Sequence, residues 1–172
     1  MARISFARLD EAVNKFAKAV VKDARGNLTR EHANATRSLW SSIGYRWRDG
    51  TLSFFMSLYG AFLDKGVSGT GQLHYRNGKS MPVAYNKSEG RPEYRFKSSK
   101  KAIGGDLSNW LKLKNVPMSA EFPIRRSIHA RGIRPRRFFT YAFARNYKKF
   151  DDVIGKALTD DINDYLDDVL KQ

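Results

Sequence analysis

Phe6, Leu9, Val13, Phe16 and Val20 recur at spacings of 3, 4, 3 and 4 residues, while Asp10, Asn14, Lys18 and Lys22 fall off that line. An apolar stripe of this period predicts an amphipathic N-terminal helix, with Ser5 placed to cap its start. Gly26-Asn27 predicts an interruption, after which 29–37 has the composition to resume the helix. The period then shortens to two. Ile43, Tyr45 and Trp47 alternate with Ser42, Gly44, Arg46 and Arg48, which predicts a strand, although 39–41 keeps the alternation less cleanly. Asp49-Gly50 is a two-residue hairpin signal, and 51–56 is the returning strand.

Tyr59-Gly60-Ala61-Phe62-Leu63-Asp64-Lys65-Gly66 predicts a short helical turn ended by its glycine. Regularity then fades over 67–105, where Gly69, Gly71, Gly78, Pro82, Gly90 and Pro92 punctuate a polar, basic stretch. The expectation there is a long loop or arm, with short strands at 73–76 and 94–96. Order returns with Leu107, Trp110, Leu111 and Leu113, a short helix stopped near Pro117. Ser119 with 122–131 predicts another, ended by Gly132. A last helical stretch carries a stripe of Val153 or Ile154, Ala157 or Leu158, Ile162, Tyr165 or Leu166, and Val169 or Leu170. The expected fold is α+β: a small antiparallel sheet packed with long N- and C-terminal amphipathic helices and a long basic loop insertion. All of it, 1–172, is expected to be a single domain.

Composition sharpens this. Aromatic residues make up 13% of the 172, which favours a folded chain over a disordered one. The absence of cysteine removes disulfides, thiol catalysis and thiolate metal sites. No run approaches the roughly 18 apolar residues that span a bilayer, and no membrane partner is expected. The first residues, with Asp10 and Glu11 following closely, do not read as a signal peptide.

Charge changes the picture most. With 32 Lys and Arg against 17 Asp and Glu, the net charge is +15, a balance that points to a polyanion or an acidic protein partner. It is unevenly spread. The stretch 91–137 holds thirteen bases and three acids, +10, whereas 151–168 holds one base and seven acids, −6. A basic middle and an acidic end allow copies to pair head to tail, and head-to-tail pairing that closes gives a ring.

The search for catalysis finds little. His32, His74 and His129 lack ligand-like spacing. The acids near the C-terminus read as a solvated helical face, not a metal cage. Gly66-Val67-Ser68-Gly69-Thr70-Gly71 lacks the Gly-Lys-Ser/Thr end of a phosphate loop, and no nucleophile elbow occurs. No enzyme activity and no cofactor are expected. Tyr75, Tyr85, Tyr94, Phe96 and Trp110 among the bases would suit single-stranded nucleic acid by stacking, which keeps a basic nucleic-acid-binding protein as the alternative.

Two segments carry a resemblance. The segment Tyr59, Gly60, Phe62, Gly66, Gly69 and Thr70 resembles the Tyr-x-x-Phe/Val-x-x-Gly-Thr segment of tailed-bacteriophage tail-completion (neck) proteins. Gly132-Ile133-Arg134-Pro135-Arg136-Arg137-Phe138-Phe139 and the residues up to Phe143 resemble their x-x-Arg-Pro-Phe-Leu-x-x-Ala segment. The order of helix, strands, first motif, variable loop, second motif and closing helix is also similar. The resemblance implies a non-enzymatic virion protein, made in the host cytoplasm. It would form an oligomeric ring at the head–tail junction around the channel for passing DNA, between head-side and tail-side rings. Tail completion, tail terminator, head-closure ring and adaptor all remain open. On this reading Lys97, Lys100, Lys101, Arg125, Arg126, Arg134, Arg136 and Arg137 are the expected subunit or partner contacts. The two motifs, Pro135, Phe138 and Phe139 included, are expected to serve the fold.

Overall fold

A computed structural model describes residues 5–30, 37–74, 80–82, 92–95 and 107–171. The α+β class holds: long N- and C-terminal helices accompany a small antiparallel two-stranded sheet. The chain divides into two compact units. One gathers the described residues of Met1–Glu31, Ile43–Phe55 and Phe138–Gln172; the other gathers those of His32–Ser42 and Met56–Arg137.

The first unit is built on α1 (Ala7–Arg30) and α6 (Phe138–Leu170), about 36 and 50 Å long at 1.5 Å per residue. They run antiparallel. Arg8 and Leu9 at the start of α1 meet Asp161, while Asn27 near its end donates to Phe138 O at 2.8 Å. Between these points Asp23 accepts from Arg145 at 3.0 Å and from Asn146 at 2.9 Å. These polar pairs set the register of two otherwise apolar faces. The buried line of α1 is Val13, Phe16, Val20, Ala24 and Leu28, with Ala17 and Val21 beside it.

The predicted interruption at Gly26-Asn27 does not occur; α1 runs through it to Arg30. The apolar period continues to Leu28, and Asn27 turns its side chain to α6. A Cβ on Gly26 would meet nothing within 4 Å. Gly26→Ala is therefore expected to raise unfolding stability by about 0.5–1 kcal/mol, read from a urea melt, because the helix gains propensity at no steric cost. Residues 31–36 lie outside the described part, and Arg37 stands before α2 (Ser38–Ser42), which replaces the less regular first half of the expected strand.

The start of α1 also differs from expectation. Ser5 is not the cap. The carboxylate of Asp161, only 5% exposed, accepts from Leu9 N at 2.9 Å and Arg8 N at 3.3 Å. It does for the orphan N–H groups of the first turn what a local cap would do. One acid of the run read as a solvated face is thus a buried structural group, and Asp164 beside it pairs with Arg8 at 2.6 Å. Asp161→Ala is expected to lower stability by about 1–2 kcal/mol, the usual cost of a lost cap. The check is the urea midpoint, together with faster amide exchange at Arg8 and Leu9.

The sheet of this unit is the expected hairpin. β1 (Gly44–Arg48) pairs antiparallel with β2 (Thr51–Phe55), register Tyr45 with Phe54 and Trp47 with Leu52. Asp49 and Gly50 both adopt positive φ, 50° and 70°, as a mirror-image two-residue turn requires. The inner face rests on the helices. Tyr45 donates to Asn14 Oδ1, Trp47 Nε1 donates to Asp10 Oδ1, and Phe54 lies edge-on to Phe16 and Phe143.

The second unit holds α2, α3 (Leu58–Lys65), α4 (Ser108–Leu113), a 3-10 helix Met118–Ala120 and α5 (Glu121–Arg131). Its central sheet has the order β6 (Tyr94–Arg95), β3 (Val67–Ser68), β7 (Gly132–Ile133). β3 runs parallel to β6 and antiparallel to β7. A separate antiparallel pair joins β4 (Gln72–His74) and β5 (Ser80–Pro82). The described parts of 67–105 therefore carry short strands, which overlap the two expected ones at 73–74 and 94–95; residues 75–76 and 96 lie outside the described residues.

Candidate partner-contact surface

The two motif segments meet, and the contact begins at the end of α3. A helix leaves its last carbonyls without helical partners. Here each one is met. Phe62 O accepts from Gly66 N, Leu63 O from Arg136 N, Asp64 O from Arg137 N and Lys65 O from Glu93 N, at 2.8 to 3.0 Å. The lysine at that end also reaches Glu93, 2.7 Å from its carboxylate, and the pair raises the Lys65 pKa through that hydrogen bond and its charge. A chain segment some seventy residues downstream thus closes the C-terminus of α3 with the backbone of the Arg136-Arg137 step.

The strands continue the contact. Val67 faces Ile133 and Ser68 faces Gly132 across β3 and β7, and Thr70 N and Gly71 N donate to His129 O and Ala130 O. The backbones approach so closely that side chains are excluded. A Cβ on Gly132 would stand 2.0 Å from Val67 O, and one on Gly69 would stand 2.3 Å from Ala130 O. A Cβ on Gly66 would stand 2.8 Å from the Pro135 ring, and both Gly66 and Gly132 have positive φ, 75° and 85°. Three glycines and a buried proline lock the two segments together. The same bonds dispose of the phosphate-loop reading, because the N–H groups of Gly66, Thr70 and Gly71 already serve protein carbonyls.

The rest of the first motif packs around this lock. Gly60 is buried, and a Cβ there would lie 2.6 Å from Leu39 and 2.8 Å from Met56. Phe62 meets the Tyr94 ring edge-on at 4.9 Å, while Tyr59 stays exposed. The second motif spans the boundary between the units. Gly132 to Arg137 belongs to the second unit, and Phe138 opens α6 in the first, fully buried, with Phe139 edge-on to Phe54.

Comparison with protein-family models, curated proteins and solved structures returns no match.

The expected contact residues fall into three sets. Lys97, Lys100 and Lys101 lie outside the described residues. Arg134, Arg136 and Arg137 follow one another along the connection from β7 to α6, the first two exposed and Arg137 part-buried with φ 50°. Arg125 and Arg126 lie on α5 and are engaged locally. Arg125 pairs with Glu121 one turn back, and the Arg126 guanidinium stands 5.6 Å from the centre of the Phe122 ring. Among the described residues, no group of three or more His, Asp or Glu side chains is placed to hold a metal ion. No described helix is long and apolar enough to cross a membrane.

Sequence reasoning missed one feature of this surface. The segment 107–137 exposes Trp110, Leu113, Met118 and Phe122, the last 64% exposed. It carries eight Lys and Arg side chains against the single acid Glu121. The helical readings over 107–131 assigned no side to its apolar positions, apart from Trp110 as a stacking candidate. Their spacing gave no means of telling a buried side from an exposed one on helices as short as six residues.

Proposed function

We propose that this chain is a non-enzymatic structural subunit of an oligomeric ring at the head–tail junction of a tailed bacteriophage. What supports the reading is that the two segments carrying the resemblance, far apart in sequence, are the two that lock together through Gly66, Gly69, Gly132 and Pro135. Segments that share a resemblance because they make one structural unit should meet in this way. The basic residues after that lock then serve protein partners: a ring that lets DNA pass must not grip it, so charge is directed at neighbouring subunits and rings.

The test is complementation in a phage that lacks the protein. Arg134→Gln, Arg136→Gln and Arg137→Gln together keep the backbone N–H groups that seal α3 and remove three charges. Under this reading the variant folds and particle assembly fails. The alternative, a basic nucleic-acid-binding protein, is favoured by the net charge of +15. It predicts that the same variant assembles particles normally and loses a salt-sensitive affinity for nucleic acid.

A further inference from the structure

The C-terminal half of α6 has three sides. Asp161 faces α1. By the helical period Asp160, Asp164 and Asp167 lie on one flank, and Leu158, Ile162, Leu166 and Val169 on the other, each flank about a quarter turn from Asp161. That second flank is an exposed apolar stripe: its four residues are 38, 40, 49 and 44% exposed. Of the apolar positions in the C-terminal stripe, Ile154, Ala157 and Tyr165 lie on the side of Asp161 and are part-buried, whereas these four are exposed. Past Asp161, the helix runs on to Leu170, itself 83% exposed.

We infer that this stripe docks onto the α4–α5 surface of a second copy of the chain, in a head-to-tail contact. The inference deepens the ring reading and rests on it. The charge around the stripe selects the occupant. With −6 over 151–168 and Lys156 its one base, this stretch repels nucleic acid and anionic lipid, and it has no Lys- and Arg-rich polar face like that of an interfacial membrane helix. Stripe-to-stripe pairing would bring two such acidic helices side by side. The fitting partner is apolar and basic at once, and the chain carries one. The segment 107–137 exposes Trp110, Leu113, Met118 and Phe122, with seven more bases than acids. Anchors at i, i+4, i+8 and i+11 on one helix flank are those of a helix laid along an apolar surface. The acids of α6 lie within a helix diameter, about 10 Å, of the stripe and so act on a docked basic surface within a Debye length. Because the two surfaces differ, the contact is heterologous and propagates to a closed ring or an open filament.

The absence of cysteine allows a clean test on the full chain. Thr159→Cys, at the border of the stripe, and Ser119→Cys, next to Met118, are made separately, both at exposed positions beside the proposed contact, and treated with a short bismaleimide. The expected result is a cross-linked dimer when the two variants are mixed, and none from either alone. Raising salt from about 0.1 M to about 1 M, which shortens the Debye length from about 10 Å to about 3 Å, removes most of that product. Dimers from Thr159→Cys alone would mean a symmetric contact and overturn the inference. So would no product from the mixture. Sedimentation velocity of the unaltered chain separates the two readings. Oligomers without the cross-link overturn this docking and leave the ring. A chain that stays monomeric also overturns the docking, and the ring is then judged on particles.

Discussion

Gly132→Ala is expected to destabilise the second unit by about 2–5 kcal/mol: about 1–2 for an alanine held at positive φ, and about 1–3 for overpacking. The steric part is firm because the obstacles are main chain. The added Cβ would stand 2.0 Å from Val67 O and 2.6 Å from Gly69 N, and neither can rotate aside as a side chain could. Relief requires β7 to leave β3, which breaks the pairing of Ser68 with Gly132 and strains the bonds that Arg136 N and Arg137 N give to the end of α3. Gly69→Ala should act similarly, from the other side of the same gap. Since either substitution forces the same separation, the double variant should lose less than the sum of the two. Urea melts of the three variants supply all the numbers. A loss within about 0.5 kcal/mol, typical of an indifferent surface site, would show that the two segments are not in contact.

Phe16→Ala is the second large effect, at about 3–5 kcal/mol for an aromatic removed from a core. Phe16 is 4% exposed and its ring touches both layers of the first unit. Phe54 of the hairpin lies at 6.3 Å, and Phe143 and Phe150 of α6 at 5.7 and 5.9 Å, all edge-on or tilted. Such pairs add about 0.5–1.5 kcal/mol each beyond the area they bury. Among the described residues each strand of the hairpin pairs only with the other, and a two-stranded sheet is marginal without a helix beneath it. The substitution should therefore show first as loss of amide protection in β1 and β2. Phe16→Leu, which fills most of the space, should retain much of the stability. Equal losses for the two would contradict the packing role assigned to the ring.

Much of this fold could be read from the chain because its longest elements repeat a period. About four turns of α1 carry the line from Val13 to Leu28, and Asp49-Gly50 states the hairpin in two residues. What could not be read depends on long-range partners. Ser5 looked like a cap because local rules see only neighbours, whereas Asp161 does that work from 152 residues away. Its one local sign is that an acid occupies the position between Ala157 and Tyr165 where the inward line of α6 would take an apolar residue. Gly26-Asn27 looked like a break because glycine weakens a helix, but packing at Ala24 and Leu28 outweighs that weakness. Strands of two residues, such as β3, β6 and β7, are too short to show alternation at all. The motif residues were visible, and their meeting was not. Only the positive φ of Gly66 and Gly132, and the carbonyls they approach, explain why glycine stands there. The arginines expected at contacts show the same limit. Charge marks a side chain as polar but does not say which one bonds to Glu121 on its own helix, as Arg125 does.

The proposed place of this protein is in the particle, at the junction of head and tail. Immunogold labelling of purified phage particles, with an antibody raised against the chain, tests that placement. Gold confined to the head–tail junction is the expected result. Particles without label, from a lysate in which the protein is abundant, would contradict it and turn attention to nucleic-acid binding.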